Sequence, residues 1–422
     1  MGPGPSQIGG PGHPAGAIQP AGTLFSFPSA APRAGVESEG DTLTIVATIE
    51  DLQRLASRRV PRMFYDLVDA GSYSEGTYRA NEADLQRIKL RQRVAVDVGA
   101  RNLKTCLLGE DVTMPVALAP AGLTGMQRAD GEILAARAAE RFGVPFTLST
   151  MSVCSIEDVA AATHKPFWFQ LYVMRDREFA RSLIRRAKAA GCSALVLTLD
   201  LPMVGQRHKD VRNGRAYSKR TLVRFANLAS KPRWCLEMLR TSRRSCGNIV
   251  GHAKGVSDET SMRAWVGTQF DPTVTWADVA WVRSLWDGPL VLKGILDAED
   301  AQYAVNCGAD ALVVSNHGGR QLDGAPSSIS VLPSIVDAVA TRAEVWMDGG
   351  VRSGQDVFKA CALGARGVMI GRSYLYGLGA EGEAGVGKCL DIIRRELDAT
   401  LALSGTADIR KVGRDSLVAG SW

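Results

Sequence analysis

From Met114 onward the chain alternates short apolar runs with longer stretches whose apolar residues recur every three to four positions. The apolar runs fall at 116–119, 146–149, 167–171, 194–198, 290–293, 311–315, 345–348 and 367–370. Helical periodicity marks 131–142, 176–190, 297–306 and 355–363. This alternation predicts βα units and a parallel sheet whose strands are buried on both faces. Eight units predict an α/β protein built as a closed (β/α)8 TIM barrel. An open doubly wound sheet is the rival, but its Gly-rich turn belongs after the first strand. Here that turn reads Pro120-Ala121-Gly122-Leu123, with no GxGxxG.

The barrel is expected to span 113–410. Residues 44–112 precede it as a cap segment, helical at first over 48–59. Residues 201–275, after the fourth strand, are too long for an ordinary βα loop. Residues 411–422 read as a C-terminal tail. Residues 1–32 hold seven Gly, seven Pro and no charged side chain. Such a stretch buries too little to offset its ordering, so 1–43 reads as a disordered tail. It has neither the basic start and apolar core of a signal peptide nor the early arginines of a mitochondrial presequence.

Composition changes the picture in three places. Net charge is +6 over 422 residues, too modest to imply nucleic acid. No apolar run is long enough to span a membrane. The eight cysteines form no CxxC and have no histidine at metal-site spacing, so reduced cytoplasmic thiols are expected and no metal centre. Between Met203 and Val250, twelve Lys or Arg face only two acids, with Trp234, Leu236, Met238 and Leu239 among them. A solvated excursion is one reading of this insert. The other is a basic surface with apolar anchors that docks on anionic lipid, from the inner face of the cell membrane. RNA binding is a weaker third, since one aromatic in a basic patch says little.

The ends of the barrel strands share one face, where barrel enzymes place their chemistry. Those ends carry Pro120 and Ala121; Ser149; Gln170 and Tyr172; Thr198 and Asp200; Lys293; Ser315, His317 and Arg320; Asp348 to Gly350; and Gly371 with Arg372. A polar residue at one strand end is ordinarily a turn former; polar groups at nearly every end are harder to dismiss. His317 can exchange a proton near neutral pH. Arg320, three positions on, offers a planar fork for a carboxylate. Asp348-Gly349-Gly350-Val351-Arg352 and Gly371-Arg372 combine close backbone approach with a cation, as a phosphate site after strands seven and eight requires. Lys293 fits either a Schiff-base role, as in an aldolase, or a fixed positive charge against a cofactor that gains negative charge. The nearby His317 and Arg320 favour the second.

The run Ser315-Asn316-His317-Gly318-Gly319-Arg320-Gln321-Leu322-Asp323 resembles the FMN-dependent α-hydroxy acid dehydrogenase and oxidase family. The likeness extends over roughly 45 to 410, through Phe169-Gln170-Leu171-Tyr172, Val291-Leu292-Lys293-Gly294, Asp348-Gly349-Gly350 and Gly371-Arg372. It implies the same barrel, with the long fourth loop where the basic insert lies. It also implies His317 as the base, supported by Asp200, and Arg320 on the substrate carboxylate with Tyr172 and Arg207. Lys293 would lie against the flavin. Gln170, Ser149, Thr198, Ser315 and the backbone of Pro120, Ala121 and Gly122 would hold the ring. Asp348 is grouped with this cofactor set, and Gly350, Arg352, Gly371 and Arg372 would hold the FMN phosphate.

Within the family the chain most resembles the respiratory L-lactate dehydrogenases, through the stretch from Gly71 to Glu75, Leu90-Arg91-Gln92-Arg93 and Gly122-Leu123-Thr124-Gly125-Met126. The resemblance implies oxidation of an L-2-hydroxy acid, lactate first, with longer acids or mandelate behind it. A quinone or other respiratory acceptor is expected from the basic insert, and a homo-oligomer is expected. The alternatives are a soluble oxidase that makes peroxide, a mandelate-type dehydrogenase, a Schiff-base aldolase and a non-catalytic phosphate-ligand barrel. Two positions depart from relatives: Leu67 stands where a carboxylate-binding tyrosine is usual, and Met151 where glycolate oxidase has a bulky tryptophan. A flexible thioether leaves room for a substrate methyl group.

Overall fold

Eight parallel strands run in the order β3-β10-β9-β8-β7-β6-β5-β4. They are β3 (Val116–Leu118), β4 (Thr147–Ser149), β5 (Trp168–Leu171), β6 (Ala194–Thr198), β7 (Leu290–Ile295), β8 (Ala311–Val314), β9 (Glu344–Asp348) and β10 (Gly367–Ile370), preceded by a hairpin of β1 (Thr105–Leu107) and β2 (Glu110–Val112). A parallel bridge from Leu118 to Phe146 joins the first and last strands and closes the (β/α)8 barrel. All eight expected strands are present within a residue or two. The computed structural model describes residues 1, 2, 4, 45–212 and 221–422; the expected tail at 1–43 falls almost wholly outside them.

The unbroken apolar runs have two jobs. Alternate residues, such as Leu195 and Leu197, face the surrounding helices. Their neighbours Ala194 and Val196 face the barrel axis, with Val291, Val313, Trp346 and Trp168. The two tryptophan rings stack there at 5.0 Å. The hairpin went unforeseen because its strands have three residues each and β2 begins with two acids. Leu107 and Val112 nevertheless join the axial cluster and plug the barrel floor. Helix ends follow ordinary chemistry: Gly143 ends helix Gly131–Phe142 at φ 78°, and Asp176 caps Arg177–Ala189 by accepting from the Phe179 amide at 2.9 Å.

Residues 45–422 form one compact unit. Ahead of the hairpin lie helices Ile49–Arg59, Arg62–Asp69 and Gly76–Arg87. Residues 411–422 turn back onto this cap: Leu417 is buried and bridges Leu90, and the Val418 amide donates to the Lys89 carbonyl at 2.9 Å.

The basic insert is partly neutralised by its own acids and by carboxylates of the cap and barrel. Arg207 pairs with Asp210, Lys209 with Asp69 and Glu75, Arg233 with Glu237, and Arg243 with Asp130 and Asp158. Trp234, read as a surface anchor, instead stacks on Phe64 at 5.2 Å and donates its Nε1 to the Met126 carbonyl at 3.1 Å. A half-buried indole needs that polar partner. Met238 is buried, whereas Phe225, Leu236 and Leu239 are exposed.

Candidate active site

β8 empties into a tight loop in which His317, Gly318 and Gly319 are all left-handed, at φ 58°, 64° and 72°. For histidine this conformation costs about 1–3 kcal/mol and must be held by its surroundings. The Ser315 hydroxyl accepts from the His317 amide at 3.0 Å, and Asn316 Oδ1 accepts from the Gly319 amide at 3.0 Å. The fold of this loop sets His317 Nδ1 2.9 Å from Asp200 Oδ1, just beyond the end of β6. Burial pushes the Asp200 carboxyl up, but the facing imidazole and Lys293 outweigh it and hold the group below its ordinary value. An ionised Asp200 favours the tautomer with the proton on Nδ1, which leaves the Nε2 lone pair able to accept a proton.

Lys293 is buried on β7, its Nζ 2.6 Å from Asp348 Oδ2 and donating to Ser315 Oγ at 2.8 Å. Burial alone lowers an amine's pKa; Asp348 and Asp200 outweigh it and raise this one. The ammonium is therefore fixed, whereas a Schiff-base lysine must shed its proton. Asp348 is the counter-ion of that charge.

Arg320 is the reverse case. Burial drives its pKa well down, and the neighbouring Arg207 and Arg372 push the same way. Its Nη1 donates to the carbonyls of Val68 (3.3 Å) and Ala70 (2.9 Å). Arg372 donates to the same two carbonyls, each at 3.0 Å, and to Gly318 at 2.8 Å. Among the described residues neither guanidinium has a carboxylate partner. Arg372 is buried and also lies over the Tyr78 ring at 4.4 Å, and Arg320 is half-buried; two neighbouring cations without a counter-ion form a site that an anion completes. Arg352 pairs with Glu82 at 2.9 Å, and Arg207 with Asp210 at 2.8 Å.

These groups surround one cavity of about 410 Å³. Pro120, Ala121, Gly122, Ser149, Tyr172, Thr198, Arg207 and Lys293 line it, as do His317, Arg320, Asp348, Gly350, Arg352, Gly371 and Arg372. Three expected residues stand behind the wall. Asp200 backs His317, Ser315 backs Lys293, and Gln170 Oε1 accepts from Ser149 Oγ at 3.0 Å. Leu67, Val68 and Met151 also line the cavity.

Two supporting residues escaped the reading of the sequence. Asn81, on helix Gly76–Arg87, makes a reciprocal amide pair with Asn316 at 2.9 and 2.8 Å. Its backbone packs so closely on Gly350 that a Cβ there would lie 2.3 Å from the Asn81 carbonyl oxygen. Asn81 thus ties the histidine loop to the glycine loop after β9. Glu132 is buried and accepts from the amides of Gly125 (3.0 Å) and Val153 (2.8 Å), joining the loops after β3 and β4. On the sequence both look like ordinary helix-surface residues; no local pattern marks them.

The donor set fits a large polar ring with a phosphate arm. Gln170 Nε2 and Thr198 Oγ1 are buried without a hydrogen-bond partner, and unpaired groups of this kind are costly unless a ligand satisfies them. Lys293 supplies fixed charge, and Arg372 with the glycine loops supplies an anion cradle.

The geometry is that of a barrel oxidoreductase that holds a phosphate-bearing ring beside an acid substrate. The chain belongs to the FMN-dependent dehydrogenase family, whose model matches residues 56–419, and FMN is its cofactor. It is 48% identical over 377 residues to an L-lactate dehydrogenase of Caulobacter vibrioides, covering 88% of this chain and 98% of that one. It is 46% identical to an L-lactate dehydrogenase of Stenotrophomonas maltophilia, covering 89% and 99%. Among solved structures, the monotopic membrane protein (S)-mandelate dehydrogenase matches with TM-score 0.83 at 37% identity, covering 88% and 99%. A mandelate oxidase variant matches with TM-score 0.74 at 36% identity, covering 87% and 97%.

Proposed function

We propose that the protein oxidises an L-2-hydroxy acid, L-lactate foremost, to the 2-oxo acid and passes the electrons to a quinone or other respiratory acceptor. The observation that carries this is a base and an unpaired guanidinium, His317 and Arg320, facing one cavity with a fixed ammonium, Lys293. Arg320 binds the carboxylate, with Tyr172 and Arg207 beside it. His317 Nε2 takes the proton, and Asp200 stabilises the imidazolium that forms. Gln170, Ser149, Thr198 and the backbone at Pro120 to Gly122 hold the ring; Gly350, Arg352, Gly371 and Arg372 hold the phosphate. Bound FMN supplies the two-electron acceptor, and Lys293 fixes the charge it works against. Anaerobic L-lactate is expected to bleach the flavin and D-lactate to leave it coloured. Bleaching by neither, or by both alike, overturns the reading.

Leu67 brings a buried aliphatic side chain to the wall where relatives place a hydroxyl. Leu67→Tyr is expected to tighten L-lactate by about 1–3 kcal/mol, the span from an ordinary hydrogen bond to one made with a charged group. Substrate titration of flavin reduction measures it; an unchanged dissociation constant means that another group already fills the role.

The exposed Phe225, Leu236 and Leu239, with the exposed Arg212 and Arg240 nearby in the chain, support docking of the insert on anionic lipid. No helix of the described residues is long and apolar enough to cross a membrane. Cosedimentation with anionic vesicles is expected to fall as salt rises. Equal capture by neutral vesicles refutes the electrostatic part.

A further inference from the structure

A second cavity, of about 340 Å³, lies against the first. Tyr172, Thr198, Leu201 and Phe270 line both. The Tyr172 and Phe270 rings meet edge to face at 6.0 Å, so the partition is about one side chain thick. The chamber opens between the two roots of the basic insert: Leu201 and Pro202 where the chain leaves β6, and Val274 and Trp276 where it returns. Leu199 and Val279 close its inner side. Asp271 is the one charged residue on its wall among the described residues, and that carboxylate is already spent. It accepts from the Thr273 amide at 3.0 Å and hydroxyl at 2.6 Å, and pairs with Arg177 at 2.8 Å.

We propose that this chamber seats the electron acceptor, as a neutral lipophilic quinone ring. A lining mainly of aliphatic and aromatic side chains, with the hydroxyls of Thr198 and Thr275 and no free charge, suits such a ring and rejects an anion. The hydroxy acid cannot be the occupant, because its carboxylate requires Arg320, on the far side of Tyr172. The redox balance closes without a further reagent: the hydroxy acid gives up two electrons and two protons, and the quinone takes up two of each as its carbonyls become hydroxyls. The position between the roots of the insert gives a ring dissolved in lipid an entry that does not cross the substrate cavity. This inference rests on the hydroxy acid dehydrogenase reading for its direction of electron flow.

Filling the chamber tests it. Val274→Trp leaves every residue of the substrate cavity in place. Its flavin content and its anaerobic reduction by L-lactate are expected to match the parent. Reoxidation by a short-tailed benzoquinone should slow about tenfold or more, as overpacking an occupied site does, while reoxidation by ferricyanide stays unchanged. Leu199→Phe, which narrows the chamber from its inner side, should do the same and guards against misfolding of the first variant. Quinone and ferricyanide slowed alike, or quinone unaffected in both variants, overturns the proposal. Reducing the flavin with dithionite before mixing with quinone separates the two readings: a parent that fails with L-lactate but reoxidises with quinone condemns the substrate assignment and not the chamber.

Discussion

Replacing His317 by Gln is expected to slow flavin reduction by L-lactate about 10²- to 10⁴-fold, the range for loss of a positioned general base, while FMN stays bound. The imidazole is the one group of the cavity with both a free nitrogen lone pair and an anionic partner behind it, Asp200 at 2.9 Å. Glutamine keeps a hydrogen-bonding side chain but cannot take the proton. Gln170, Ser149 and Thr198, the groups proposed to hold the ring, lie on other strands, so cofactor content should not fall. Asp200→Asn is the companion: with an amide behind it, the ring loses the charge that stabilises its protonated form, and reduction should slow with FMN retained. Rapid-mixing absorbance under anaerobic conditions reads both. A His317 variant reduced at the parent's rate means that the base lies elsewhere.

Arg320→Met should raise the L-lactate dissociation constant by two orders of magnitude or more, since hydrogen bonds to charged groups contribute about 1.5–3 kcal/mol each and a guanidinium can make two. The same change should leave the ligand-free protein no less stable. Arg320 is half-buried beside Arg207 and Arg372 with only carbonyl oxygens to hold it, and a partly desolvated charge without a counter-ion is a cost that an apolar side chain removes. Binding titrations and thermal unfolding with and without an inert carboxylate distinguish the effects. The parent should gain stability with the carboxylate and the variant should not. A variant that binds lactate as the parent does places the carboxylate elsewhere.

The barrel was legible because the strands are apolar runs buried on both faces, nearly all of them with a polar residue at or just past the end. That pattern survives in one dimension. The same property put the candidate site within reach, since strand ends converge on one face whatever the loops do. What stayed hidden depends on partners far along the chain. Asn81 and Glu132 sit in helices whose periodicity gives no sign of what their polar atoms bond. Trp234 sat among cations and read as an exposed anchor, yet Phe64, distant in sequence, provides its stacking surface. The charge of the insert was visible, but which cations find carboxylates of the cap and barrel was not.

The amide pair between Asn81 and Asn316 spans 235 positions of sequence. A ribosome adding about 5–20 residues per second needs roughly 12–47 seconds to carry the chain from one to the other. Through that interval the cap helices exist without the loop they will clasp, and Gly350 emerges later still. The cradle proposed for the phosphate is therefore among the last parts of the molecule to become whole. With that cradle, loading of the flavin is expected to wait for the end of synthesis, and a chain cut short inside β9 (Glu344–Asp348) is expected to be colourless.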